Sequence, residues 1–315
     1  MNSKCIFEVR QQIFGVMGVY QEVKEISRYF FFHSISWVCL LLATLLLPGC
    51  DNNDAESLGC SITRNPTTAA LDLSILFIGT SHTYYNDLPK LVEQIGSSMG
   101  DHVYTEMTAP GGYDFERHFK LEQTVNAINS RQWDYIVLQE SGWRTALPPA
   151  LAEQRVYPFA DSLLNVIAES NPQARLILYM TNGYIDGVNA FGDSDWCRDD
   201  PQVCTYDGMQ ERIKSTYQKL ADQLDAEIVP GGILWKIIMD QHNDITFHDP
   251  DGIHPGIAGS YTNAIALYSV ITKKPVTHLY IPATLFEEQA LHIQHAVNNT
   301  LFECNPNWKD FDLMK

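Results

Sequence analysis

Leu73-Ser74-Ile75-Leu76-Phe77-Ile78-Gly79-Thr80-Ser81-His82-Thr83 is the stretch on which the fold turns. An apolar run stops at a glycine, hydroxyl residues follow, and helical spacing then begins with Leu88, Leu91, Val92 and Ile95. A short run that is apolar at nearly every position predicts a strand buried on both faces, which parallel sheets covered by helices require. Ser81 is thereby presented at a strand-to-helix turn, with Asn86 or Asp87 placed to cap the helix after it.

Four more runs of strand length lie outward from this one: Val103 to Thr108, Tyr135 to Gln139, Leu176 to Met180 and Ile228-Val229. Between them Phe159, Leu163, Val166 and Ile167 form one helical stripe, and Met209, Ile213, Tyr217, Leu220 and Leu224 form another. Repeated βα units predict an α/β fold, a three-layer α/β/α sandwich around a flavodoxin-like parallel sheet of about five strands. Ligands of such sheets bind beyond the carboxyl ends of the strands. Gly183 to Thr205 has no period and is expected to be a stapled loop beside the site, and Ala283 to Leu301 a last helix on the outside. No internal repeat is evident, and residues 71–315 suffice for one domain.

The segment before that domain carries a different message. Trp37 to Leu47 is apolar but short for a bilayer span, is preceded by Lys24 and Arg28, and runs into Leu47-Pro48-Gly49-Cys50. This resembles the lipobox of bacterial lipoproteins, although Pro48 is an unusual occupant. The expectation is a signal peptide over 1–49, with Met17 as the alternative start, lipid on Cys50 and a polar tether over 50–70. A lone transmembrane anchor is the competing reading, and both place the remainder outside the cytoplasm, lipid-anchored in the cell envelope on the first.

The whole chain has a formal net charge of −17, and loss of the leader leaves it slightly more acidic. Such a surface disfavours nucleic acid and anionic headgroups as partners. Cys5 and Cys39 fall in the leader, so Cys60, Cys197, Cys204 and Cys304 remain once Cys50 is lipidated. In an oxidising compartment they suggest two disulfides, Cys197 with Cys204 and Cys60 with Cys304, with a zinc site as the weaker alternative.

A second motif gives Ser81 its partners. Asp251-Gly252-Ile253-His254-Pro255 lies in a loop before the helix expected over Ile257 to Ile271. Asp and His three apart can share one turn, so that the carboxylate fixes the imidazole tautomer while the other ring nitrogen faces a serine from the first strand.

Ile78-Gly79-Thr80-Ser81-His82-Thr83 and Asp251-Gly252-Ile253-His254-Pro255 together resemble the first and last blocks of the SGNH (GDSL-like) hydrolases, and the resemblance spans roughly residues 71–275. It implies a carboxylic ester hydrolase with Ser81, Asp251 and His254 as catalytic triad. The glycine block matches at Gly112, with Gly111 as the neighbouring register, and implies a backbone oxyanion donor beside the Ser81 N–H. The asparagine block departs from the pattern, since Gln139 stands where that amide is expected, and Thr80 replaces the usual acid or amide before the serine. The implied substrate is a small ester, such as acetyl on extracellular glycans, with no cofactor and no metal.

Three alternatives remain open at this point. A non-catalytic surface-binding lipoprotein with the same fold would explain Thr80 and Gln139, and a lysophospholipase or thioesterase would need a long acyl channel. His242, His248, Asp249, Asp251 and His254 supply metal-ligand types without a compact helical pair. His118 is expected at the surface of a helix, while Tyr84, Tyr85, Trp143 and Trp196 are expected as rim or core packing with a possible role in stacking on a sugar.

Overall fold

In the computed structural model the described residues are 62–65, 69–191 and 195–314. The expected leader, Cys50, most of the tether and Cys60 lie outside them. Strands form at all five apolar runs: β1 Asp72–Ile78, β2 His102–Thr108, β3 Tyr135–Leu138, β4 Arg175–Tyr179 and β5 Glu227–Val229. Except for β3, each begins one polar residue ahead of its run, and β3 and β4 end one residue early, so that Gln139 and Met180 stand at the rim of the sheet.

All neighbouring strands are parallel, in the order β2-β1-β3-β4-β5. This is the flavodoxin-like order, and the chain changes winding direction between β1 and β3, which opens a crevice at their carboxyl ends. Ser81 follows β1 and Gln139 follows β3, so the topology delivers both to that crevice.

Helices in chain order are α1 Ser81–Tyr84, α2 Leu88–Ser98, α3 Phe115–Lys120, α4 Glu122–Asn129, α5 Gly142–Thr145, α6 Pro149–Arg155, α7 Tyr157–Ser170, α8 Asp195–Asp199, α9 Tyr206–Leu224, α10 Gly231–Gln241, α11 Ile257–Thr272 and α12 Glu287–Phe302. One layer is built by α2, α10, α11 and α12, the other chiefly by α3, α4, α7 and α9. The stripe Met209, Ile213, Tyr217, Leu220 and Leu224 is buried along its whole length. In α11 every residue from Ala258 to Thr272 is buried, as expected of a helix without a polar face. Its polar groups bond inward: Asn263 accepts from Trp235 Nε1 at 3.1 Å and donates to Tyr179 Oη at 2.7 Å.

Three expectations need correction. Asp87 occupies the N-cap position of α2, but its side chain makes no capping hydrogen bond; Asn86 and Asp87 both have left-handed backbones, with φ of 53° and 49°, and Pro89 occupies the first turn. The segment 183–205 is not wholly irregular, because α8 and 3-10 turns at Gly187–Phe191 and Pro201–Cys204 organise it around the Cys197–Cys204 disulfide, whose Cα atoms are 5.6 Å apart. The last helix starts at Glu287 rather than Ala283, because the chain after Pro282 turns, with Leu285 N–H donating to Pro282 O at 2.9 Å. Cys304 is disulfide-bonded, and its expected partner Cys60 lies outside the described residues. Among the described residues no helix is long and apolar enough to cross a membrane.

Candidate active site

The turn after β1 is built around a glycine that tolerates no side chain. A Cβ on Gly79 would lie 2.2 Å from Thr83 Oγ1 and 2.7 Å from Gln139 Oε1. Thr80 precedes α1 and its hydroxyl accepts from His82 N–H at 3.4 Å, which starts the helical turn with Ser81 in its first position. Backbone N–H groups at that position have no partner within the helix.

A loop ahead of α11 supplies the opposing side chains. It is closed by a bridge between His248 and Pro255 and by Asp249 N–H donating to His254 O at 2.8 Å, and Gly252 provides the left-handed turn at φ 71°. Asp251 Oδ1 accepts the N–H groups of Ile253 and His254, each at 2.9 Å, and Oδ2 lies 2.5 Å from His254 Nδ1. His254 Nε2 lies 2.9 Å from Ser81 Oγ, across 173 residues of chain. Burial opposes the charge on Asp251, but the donors from His254 and Ile253 outweigh it and hold the carboxyl at about 2. An ionised carboxylate only accepts, so the proton belongs on Nδ1 and Nε2 is left to accept from the serine hydroxyl.

The loop is fixed from behind. Asn182 Nδ2 donates to Ile253 O at 3.2 Å, and Ile185 N–H donates to Gly252 O at 2.9 Å. His82 also bonds the Ile253 backbone; burial first, then the nearby His254, push its imidazole down to about 3, so it remains neutral.

The glycine turn after β2 places the left-handed residue at Gly112, φ 70°, where a Cβ would meet nothing within 4 Å. Gly111 instead lies against Tyr84, whose hydroxyl would be 3.4 Å from an added Cβ. Arg117 Nη1 donates to Gly112 O at 2.8 Å and orients the turn.

Gln139 is placed differently from the expected oxyanion donor. It is fully buried beneath the serine turn, where Oε1 accepts from Thr80 N–H at 2.7 Å, Thr80 Oγ1 at 3.1 Å and Thr83 Oγ1 at 2.9 Å. Its Nε2 donates to Glu140 O at 2.7 Å. The Thr80 N–H can only donate, so the oxygen must face the turn, and the amide braces the loop from inside rather than facing the crevice. The two departures from the family pattern, Thr80 and Gln139, are thus bonded to each other.

Other residues at the site take places that the sequence did not indicate. His118 is buried rather than superficial, with Nε2 2.7 Å from Gly79 O and Nδ1 2.9 Å from Thr124 Oγ1. Glu140 is buried and accepts from Phe115 and Ser141 N–H, while the neighbouring Asp114 pairs with Arg144 at 2.7 Å. Only folding brings these together, because no spacing rule links them. Tyr85 stacks on His254, and Trp143 lies 6.0 Å from Trp196. The rival metal-ligand types do not converge: His248 Nε2 is engaged with Gly183 O at 2.9 Å, and among the described residues no three His, Cys, Asp or Glu side chains are grouped to hold an ion.

A DUF4886 family protein from Bacteroides uniformis has a similar structure, at 19% identity and a TM-score of 0.59 over 73% of this chain and 94% of that one. That similarity is one of fold. A candidate SGNH hydrolase from Slackia heliotrinireducens overlaps at 21% identity and TM-score 0.48, covering 64% of this chain and 99% of its own. An acetyl xylan esterase variant from Geobacillus stearothermophilus does so at 17% and 0.45, covering 67% of this chain and all of its own. These two overlaps are too loose to bear on chemistry. No family model and no curated protein matches the chain.

Proposed function

We propose that this chain is a serine ester hydrolase of the SGNH type, exported and held at the cell envelope by lipid on Cys50. The observation that carries the reading is the linear relay from Asp251 Oδ2 through His254 to Ser81 Oγ, at 2.5 and 2.9 Å. The ionised Asp251 carboxylate directs a proton to His254 Nδ1 and so leaves Nε2 to accept from the serine hydroxyl, the arrangement that general-base activation of a nucleophile needs.

In the proposed cycle His254 Nε2 takes the Ser81 hydroxyl proton as Oγ attacks the ester carbonyl. Asp251 stays ionised and steadies the imidazolium, and the Ser81 and Gly112 N–H groups receive the oxyanion. Collapse of the intermediate expels the alcohol, which takes the proton from His254. Water, deprotonated by the same nitrogen, then releases the acid and restores Ser81. Gln139 acts in this scheme by holding the turn that aims Ser81. A buried Ser81 reached past a half-buried His254, with the exposed Tyr84 and the half-buried Tyr85 beside it, suits a small acyl group on a bulky alcohol, such as acetyl on an extracellular glycan.

The full chain, solubilised in mild detergent, is treated with a fluorophosphonate and analysed by intact mass beside Ser81→Ala. One adduct on the wild type and none on the variant is the expected result. A folded wild type that stays unlabelled would remove the esterase reading and leave a surface-binding lipoprotein.

A further inference from the structure

Two successive left-handed residues stand between α1 and α2, Asn86 and Asp87. Neither is glycine, so the backbone is strained there, although Asn and Asp tolerate this region better than other residues. The strain accompanies a cross-link. Asn86 Nδ2 donates to Pro255 O and to Ser260 Oγ, each at 2.9 Å, which ties the turn after the nucleophile to the residue after His254 and to the first turn of α11.

The clamp sets the position of the adjacent ring. Tyr85 and His254 have ring centroids 4.2 Å apart with planes 5° from parallel. The bonds from Nδ1 to Asp251 and from Nε2 to Ser81 hold two points of the imidazole, but they leave the ring free to rock about the line that joins them. A parallel face blocks the rocking. The groups that face the His254 ring are Asp251 at Nδ1, Ser81 at Nε2, His82 on α1 with ring centroids 5.6 Å apart and planes tilted by 37°, and the phenol of Tyr85. Of these, Tyr85 alone covers the ring in parallel, where an aromatic face favours a cation.

We infer that Tyr85 is a positioning residue for His254: held by Asn86, its ring fixes the imidazole plane on the line from Asp251 to Ser81 and favours the imidazolium formed as Ser81 attacks. This rests on the serine hydrolase reading, and its geometric part is testable without turnover. Leucine at position 85 keeps apolar cover and removes the aromatic face, whereas phenylalanine keeps the face and removes only the hydroxyl.

The test compares the full-length wild type with Tyr85→Leu, Tyr85→Phe and Asn86→Ala, using p-nitrophenyl acetate hydrolysis and the low-field NMR resonance of the His254 Nδ1 proton. In Tyr85→Leu kcat is expected to fall about tenfold with KM within about twofold, and in Tyr85→Phe to stay within about threefold of wild type. The Nδ1 resonance should broaden in Tyr85→Leu and Asn86→Ala and stay sharp in Tyr85→Phe. If Tyr85→Leu fails to fold, Asn86→Ala carries the same comparison. An unchanged kcat and an unchanged resonance in the leucine variant would overturn the inference. If the wild type neither hydrolyses nor labels, the esterase reading fails on its own, and the resonance alone decides whether Tyr85 holds the ring.

Discussion

Glu140 illustrates how one residue at this site couples position to pH. Burial pushes its carboxyl from 4.5 up to about 8, against the Phe115 and Ser141 N–H donors that favour the charged form. Between those values the native chain keeps a proton that the unfolded chain has lost, so stability falls as pH rises through this window, by up to about 1.4 kcal/mol per pH unit. Glu140→Gln should flatten the slope, read as the difference between urea midpoints at pH 5 and pH 8 in variant and wild type. His82 acts with the opposite sign, since a folded value near 3 against 6.5 removes stability as pH falls below 6.5. The mutant difference cancels that contribution. Ser81, Asp251 and His254 are legible in the sequence because motif and spacing name them. Glu140 and His82 are not, because their environment is assembled from distant strands.

At the scale of elements, the turn from β1 into α1 is decided by Gly79. An added methyl group would press on Thr83 and Gln139 together, and a shift of about 1 Å in a nucleophile can cost on the order of a hundredfold in rate. Gly79→Ala should therefore lose most fluorophosphonate labelling while thermal melts show a loss of only about 1–3 kcal/mol. A variant that labels at the wild-type rate would show that the brace yields. Strands and long helices are readable here because burial on both faces or one stripe writes a period into the sequence. The turns between them are not, as Asn86 and Asp87 show: their composition suits a cap, yet tertiary bonds to Pro255 and Ser260 take the Asn86 amide elsewhere.

For the whole molecule, the segment between β4 and α9 links the sheet to a long helix through α8 and two 3-10 turns. The Cys197–Cys204 bond closes a short loop there, with a sequence separation of 7, and the chain-entropy relation gives about 2.5 kcal/mol for a loop of that length. Replacing both cysteines by alanine should lower stability by about that amount without dispersing the sheet. Trp196 lies beside Cys197 and near Trp143, so tryptophan fluorescence along a urea titration reports the change. A variant as stable as wild type would mean that the surrounding helices hold the segment unaided.

The sequence by itself determined the layers, the five strands and the two blocks that carry Ser81, Asp251 and His254, because burial periodicity and short-range spacing are local properties. Tertiary structure alone decided that His254 Nε2 reaches Ser81 Oγ and that Gln139 turns inward to hold Thr80. It also decided that Tyr85 lies flat on the imidazole. Such contacts join residues up to 173 positions apart, and their geometry is fixed by how the sheet twists and the helices pack. Local sequence does not encode that packing.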